Sequence, residues 1–148
     1  MKRKIVPDGW FVIMLALSFV FHYLLPVTRI IPHPYHLTGI AIILSGFALT
    51  LAANRVMLKN RTTNQPEGTP DLLVTSGPFK ISRNPVYLGM TIILLGVEIL
   101  LGSLSVLIFP VIFVIIIDRL FVKREEHVLE NMFGERYLEY KKRVRRWI

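Results

Sequence analysis

Long apolar blocks separated by short polar connections dominate this 148-residue sequence, and they leave few folds open to it. Each block is long enough, or nearly so, to cross a bilayer. The expected fold is therefore all-α: an integral membrane bundle of four transmembrane helices, with a cytoplasmic loop and a C-terminal amphipathic helical region, in one domain over residues 1–148. The first span is expected at about 10–31, from Trp10 to Leu25 and onward, kinked at Pro26, to Ile31. "PHPY" (Pro32 to Tyr35) breaks that helix, because two prolines lack N–H donors and resist helical continuation. The second span covers about 36–58 and carries a stripe of small residues, Ala41, Ser45, Ala48 and Ala52, against which another helix can pack closely, within the chain or between chains. The third, 85–101, and the fourth, 104–122, are separated only by Gly102 and Ser103, which predicts a tight antiparallel hairpin. A helix of that third length spans roughly 26 Å, a little short of a ~30 Å hydrocarbon core.

Between spans two and three lies a polar loop, 59–84, rich in Thr, Pro and Gly. Loops of this length tend to be lids or binding loops. After the fourth span comes a charged tail, 123–148, with Leu129, Met132, Phe133, Tyr137, Tyr140 and Val144 at helical spacing and a bend allowed at Gly134. On its own the tail reads as an amphipathic helix on the cytoplasmic leaflet, its Lys and Arg on lipid phosphates. Two adjacent glutamates, Glu125 and Glu126, suit an anionic leaflet poorly, however, and make more sense against a ligand with hydroxyls or a cationic group.

The net charge of +8 sits at the ends of the apolar blocks, which fits anionic headgroups rather than nucleic acid. Seventeen of the 18 lysines and arginines lie before span one, from the last turn of span two (Arg55) through the long loop, or at and after the end of span four; only Arg29 lies on the other side. By the positive-inside rule both termini and the loop are cytoplasmic. The first block follows Lys2, Arg3 and Lys4 as a signal peptide would, but it runs into Pro26, Val27, Thr28 and Arg29 rather than a small-residue cleavage site, so it reads as a retained anchor. With no cysteine, thiolate catalysis, disulfides and cysteine-ligated metals are excluded. His22, His33 and His36 lack metal-ligand spacing, and no metal is expected. Asp118 and Arg119 mark the cytoplasmic exit of span four, where solvated ion pairs are common. Glu98 lies inside span three; an intramembrane carboxylate is costly and often functional, but no buried ionisable residue in spans one to three pairs with it, so a far-interface carboxyl bonded to helix ends, or protonated, is the plainer reading.

Two stretches together carry a family resemblance. "LLVTSGPFKISRNPVYLG" (Leu72 to Gly89) resembles the glycine-proline-aromatic, arginine-histidine-proline-x-tyrosine-x-glycine signature of isoprenylcysteine carboxyl methyltransferases. "REEHVLENMFGERYLEYKKRVRRW" (Arg124 to Trp147) resembles their C-terminal pattern of paired glutamates, phenylalanine-glycine, tyrosines and arginine. The asparagine-proline-x-tyrosine-x-glycine form and the paired glutamates are also similar to phospholipid methyltransferases. The resemblance implies an integral membrane enzyme that uses S-adenosylmethionine, with a cofactor pocket on the cytoplasmic side between the loop before span three and the C-terminal helices. The matching positions are Gly77, Pro78, Arg83, Pro85, Tyr87 and Gly89, then Glu125, Glu126, Phe133, Gly134, Tyr137, Tyr140 and Arg143. The carboxyl methyltransferases mostly have histidine where this chain has Asn84, which cannot change charge near neutral pH, and this moves the expected acceptor away from strict isoprenylcysteine chemistry.

From that resemblance the catalytic candidates are Arg83, Glu125 and Tyr87, and the cofactor-binding candidates Gly77, Pro78, Asn84, Pro85, Tyr87, Gly89, Glu125, Glu126 and Tyr137. Arg83 is suited to a carboxylate of the cofactor or of the substrate through bidentate bonds. Glu125 and Glu126 suit ribose hydroxyls or the cofactor's ammonium. Pro85 starts a helix without losing a useful N–H, and Gly89 leaves room for a ligand or a neighbouring helix. The implied partners are membrane lipids and a lipophilic or lipidated acceptor, the implied location the plasma membrane of a prokaryote. A non-catalytic scaffold or lipid-binding protein with a basic tail is the alternative. A transporter would need polar residues along the midplane, and the sequence has no visible inverted repeat.

Overall fold

The computed structural model describes residues 6–25, 28, 30–60 and 72–148. Lys2, Arg3, Lys4, Pro26, Arg29, Arg61 and the rest of the 61–71 stretch lie outside the described residues, and with them part of the charge pattern and of the long loop. Among the described residues there is no strand. The helices are α1 (Pro7–Leu24), α2 (Thr38–Lys59), α3 (Pro85–Leu101), α4 (Ile108–Ile117), α5 (Lys123–Phe133) and α6 (Glu135–Arg143). Three helical runs, Pro7–Leu24, Tyr35–Lys59 and Leu104–Phe133, are long and apolar enough to cross a membrane, and α3 is a shorter apolar helix. Their outer faces carry Phe19, Tyr23, Leu44, Phe47, Leu51, Val111 and Ile115, all exposed. Soluble chains rarely expose apolar surface on this scale, and the chain is a multi-pass membrane protein.

Helix α3 is the centre of the bundle. One side meets α2 so closely that glycines line the contact. A Cβ on Gly46 would lie 2.7 Å from the Gly89 carbonyl oxygen, and one on Gly96 would lie 2.8 Å from that of Gly39. Gly39, Gly46 and Ala53 on α2 are buried and recur every seven residues, two helical turns, as do Gly89 and Gly96 on α3. The stripe expected to mediate this contact is not the one used: Ala41, Ser45 and Ala48 face outward. The expected periodicity holds, but the backbones approach too closely for a methyl group, so the glycine face prevails.

The other side of α3 packs against α1 and α4. Met14, Tyr87, Met90, Leu94, Val106, Phe109, Phe113, Ile117 and Val122 form the core. Phe11 meets Phe113, and Phe21 meets Phe109, ring edge to ring face. Glu98 is fully buried here and is bonded to the Ser18 hydroxyl, which also reaches the Met14 carbonyl. This carboxyl therefore has a neutral partner on α1. Nearby, His22 Nδ1 lies 2.7 Å from Ser103 Oγ.

Two expected boundaries are corrected. The first helix does not run on to Ile31; α1 ends at Leu24, and Leu25 has left the helical region at φ −132°, ψ 64°. Proline disfavours the α conformation in the residue before it, and Leu25 is that residue. The fourth segment, conversely, does not stop at Val122. After α4 a single π-helical stretch, Asp118–Val122, leads directly into α5, so one continuous helical run extends to Phe133. The hairpin between α3 and α4 forms as expected: Gly102 ends α3 at φ 72°, a conformation costly for residues with a Cβ, and its N–H closes on the Glu98 carbonyl.

Candidate active site

The hairpin and the long fourth run return the chain to the end of the bundle where α3 begins. There the segment Gly77–Asn84 is clasped from two directions. The Gly77–Lys80 turn rests on α2, where a Cβ on Gly77 would lie 3.1 Å from Val56 Cγ2, and the Tyr140 hydroxyl of α6 donates to the Phe79 carbonyl at 2.6 Å. The Pro78 carbonyl accepts from the Ile81 and Ser82 N–H groups. Burial pushes the Tyr140 phenol up to about 12, so it remains a donor at any physiological pH.

The second clasp is the last five residues. Beyond α6 the chain becomes extended at Val144 and runs beside Ser82–Asn84. The Arg83 N–H donates to the Arg145 carbonyl at 3.0 Å, while Ser82 Oγ and Asn84 Nδ2 donate to the Arg146 carbonyl at 3.1 and 3.0 Å. The Asn84 N–H closes on Ser82 Oγ at 3.1 Å. Asn84 thus spends its amide on the main chain of this strap and precedes Pro85, the buried first residue of α3, without capping it through its side chain.

Glu125 and Glu126 are neighbours on α5, about 100° apart around the helix, and so face different partners. Glu125 accepts a 2.6 Å hydrogen bond from the Tyr87 hydroxyl of α3. Glu126, 5% exposed, meets two arginines. Arg83 Nη2 lies 2.8 Å from Oε1, and Arg146 grips both oxygens, Nε to Oε1 at 3.1 Å and Nη2 to Oε2 at 2.6 Å. The remaining Arg146 nitrogen reaches the Asp118 carboxylate, at 3.2 and 3.4 Å, and Trp147 Nε1 donates to the same carboxylate at 3.3 Å. Hydrogen bonding to Glu126 holds the Arg146 pKa above its ordinary value. Asp118 opens the π-helical stretch, a kind of irregularity frequent at functional sites.

The cluster balances two guanidinium groups with two carboxylates, yet its hydrogen bonding is incomplete. Arg83 Nε and Nη1, and the Tyr137 hydroxyl, are buried and have no partner among the described residues. Burial raises the Tyr137 phenol above its usual range; the Glu126 charge adds to this, and Arg83 and Arg146 oppose it. Buried polar atoms are rarely left unpaired, and each that is calls for an explanation. A buried guanidinium that keeps two free donors, Nε and Nη1, is suited to an anionic ligand such as a carboxylate.

Of the residues expected at the site, Arg83, Tyr87, Glu125, Glu126 and Tyr137 come together, and Gly77, Pro78, Asn84 and Pro85 build the segment that carries them. Gly89 does not join them: its Cα faces Gly46 and Thr50 of α2, and its small size serves helix packing. Arg143, matched by resemblance, is exposed and pairs with Glu139 one turn back. Arg146 was not among the expected residues. Within the basic run its charge is indistinguishable from those that set topology, and only its pairing with Glu126 and Asp118 separates it. Asp118, expected as a solvated pair at the membrane exit, holds that arginine instead.

The phospholipid methyltransferase family model matches residues 34–136. Protein-S-isoprenylcysteine O-methyltransferase B of Arabidopsis thaliana is 37% identical over 75 residues, which are 49% of this chain and 36% of that protein. Its namesake in Schizosaccharomyces pombe is 36% identical over 76 residues, 49% of this chain and 31% of that one. The chain thus spans about a third of the length of these curated methyltransferases. An uncharacterized protein of Haemophilus influenzae is 38% identical over 63 residues, 43% of this chain and 100% of that protein. The fold is that of the eukaryotic intramembrane Ras methyltransferase, isoprenylcysteine carboxyl methyltransferase, with a TM-score of 0.69 over 93% of this chain and 50% of the other, at 24% identity. Because the family match runs through α2 to α5 and takes in Arg83, Tyr87, Glu125 and Glu126, the chain belongs to the phospholipid methyltransferase family.

Proposed function

We propose that this chain is an S-adenosylmethionine-dependent methyltransferase of the membrane, acting on a lipophilic acceptor such as an isoprenylcysteine-like carboxylate or a lipid amine. The observation that carries the reading is the buried Arg83 guanidinium, whose Nε and Nη1 lack partners among the described residues, on Glu126, the helical neighbour of the glutamate that holds Tyr87. Those groups fit the cofactor's chemistry. Arg83 would hold a carboxylate, the cofactor's own or the acceptor's; Tyr137 would donate to a neighbouring oxygen; and the Gly77–Pro85 segment would form the wall. When bound, S-adenosylmethionine supplies a methyl group on a positively charged sulfur.

The protein's part is alignment and exclusion of water. Arg83 and Glu126 are over nine-tenths buried, so their charges act in a medium that screens them little. Glu125, held by Tyr87, stands as the base for an amine acceptor, which must lose a proton before it attacks. A carboxylate acceptor is already ionised at neutral pH and needs no base. Four spans, with both termini and the site on the cytoplasmic side, follow from the charge pattern and agree with a charged, water-soluble cofactor. A lipid-binding scaffold would gain nothing from a guanidinium with two unpartnered donors deep in its fold, since such donors cost stability.

Acceptor class is tested by incubating the purified protein with isotopically labelled methyl donor and bacterial or yeast membranes, then identifying labelled products by mass spectrometry. Label in a base-labile ester identifies a carboxylate acceptor; label stable to base identifies an amine. No protein-dependent label in any lipid or lipidated product would contradict the reading.

A further inference from the structure

Arg83 and Arg146 share Glu126 unequally. Arg146 takes it as a fork, covering both carboxylate oxygens, whereas Arg83 makes one contact with Oε1 and keeps Nε and Nη1 unpaired. A buried guanidinium beside a carboxylate would ordinarily take both oxygens itself, because that geometry satisfies more donors. What prevents it here is competition. Asp118 holds Arg146 from behind, and Trp147 in turn donates to Asp118, so the fork is fixed at both ends.

We infer that Arg146 is a positioning residue that keeps two Arg83 donors free by occupying Glu126, and that these donors receive a carboxylate. The inference rests on the methyltransferase reading for the identity of that carboxylate, which belongs either to the amino-acid end of the cofactor or to the acceptor. It does not rest on that reading for the competition itself, which is a property of four side chains. Remove Arg146, and Glu126 is free to turn its second oxygen to Arg83 Nε beside Nη2; the anion then loses a donor and faces a carboxylate no longer neutralised by Arg146. Asp118 then has a defined part as the anchor of Arg146.

The test compares the full chain in nanodiscs with R146Q, D118N and the double variant R146Q/E126Q. The strap survives R146Q, because its bonds to Ser82, Arg83 and Asn84 come from main-chain carbonyls and Trp147 still reaches Asp118. Calorimetry uses two ligand pairs: S-adenosylhomocysteine and its decarboxylated analogue, and an S-prenyl N-acetylcysteine and its amide. In R146Q, the carboxylate-bearing member of one pair should bind about tenfold or more weakly, while the member lacking the carboxylate stays within about twofold. Which pair responds identifies the source of the carboxylate. D118N should give a smaller loss for the same ligand, and R146Q/E126Q should recover most of it, since no carboxylate then remains to take those donors.

A second readout needs no ligand. In R146Q the Arg83 Nε–H signal in a nitrogen-15 NMR spectrum should shift and become slower to exchange as Glu126 engages it. Equal weakening of both members of each pair, or unchanged affinities with an unchanged Arg83 signal, would overturn the inference. If the wild-type chain binds none of the four ligands, the cofactor reading falls, and the Arg83 signal still decides what Arg146 does.

Discussion

Glu98 and Glu126 are both buried glutamates, and their surroundings give them opposite characters. Glu126 is enclosed by two cations; among the described residues Glu98 has the Ser18 hydroxyl and no cation. One hydroxyl carries one hydrogen, and Ser18 also reaches the Met14 carbonyl. A neutral Glu98 that donates from Oε1 to Ser18, while Ser18 donates to Met14, pairs these three groups and leaves Glu98 Oε2 buried without a partner among the described residues. E98Q can donate in the same way and should leave thermal stability in detergent within about 0.5 kcal/mol of wild type, whereas E98A leaves Ser18 without that partner and opens a cavity, at a cost of about 2 kcal/mol or more. A large loss in E98Q would mean that the charge, not the hydrogen bond, is needed. Residue identities at the site were partly legible in the sequence: paired glutamates after an apolar hairpin are uncommon enough to notice. That Glu126 would take two arginines was not legible, because the partners lie 43 residues before it and 20 after, and nothing in a linear basic run marks which member folds inward.

Among the elements, α3 was the most legible. Its start at Pro85 and end at Leu101 follow from a proline that cannot sit in a helix interior and a glycine that can adopt positive φ. The partner face of α2 was less so. Alanine, serine and glycine stripes coexist on one helix seven residues long in period, and periodicity cannot rank them; the backbone separation does. G46A should therefore cost about 1–3 kcal/mol, because the added methyl meets the Gly89 carbonyl at 2.7 Å and the two helices must separate. A48L, on the outward face, should fall within about 0.5 kcal/mol. Thermal unfolding of both variants in one detergent checks the pair, and a reversed order would show that α2 and α3 do not pack as described. The continuation of α4 into α5 also escaped the sequence, since the charges of Lys123 and Arg124 mark a membrane exit but not the end of a helix.

For the whole molecule, the decisive feature is that the last residues complete a site begun some sixty residues earlier. Val144–Ile148 contribute no apolar span, yet their carbonyls hold Ser82, Arg83 and Asn84, and Arg146 holds Glu126. A chain truncated after Arg143 should keep its membrane integration and most of its helix content, because the α2–α3 contact and the apolar core remain, but lose ligand binding. Circular dichroism and ligand titration on the same sample separate these outcomes; full ligand binding by the truncated chain would contradict the account of the strap. Cofactor binding at Arg83 is tested by calorimetric titration of the full chain in nanodiscs with S-adenosylhomocysteine, beside R83A. Arg146 still pairs with Glu126 in that variant, so the fold is not left with an unpaired buried carboxylate. Saturable one-to-one binding by wild type, weakened at least about a hundredfold in R83A, is the predicted result. Absence of binding by wild type, or equal binding by both proteins, would contradict it.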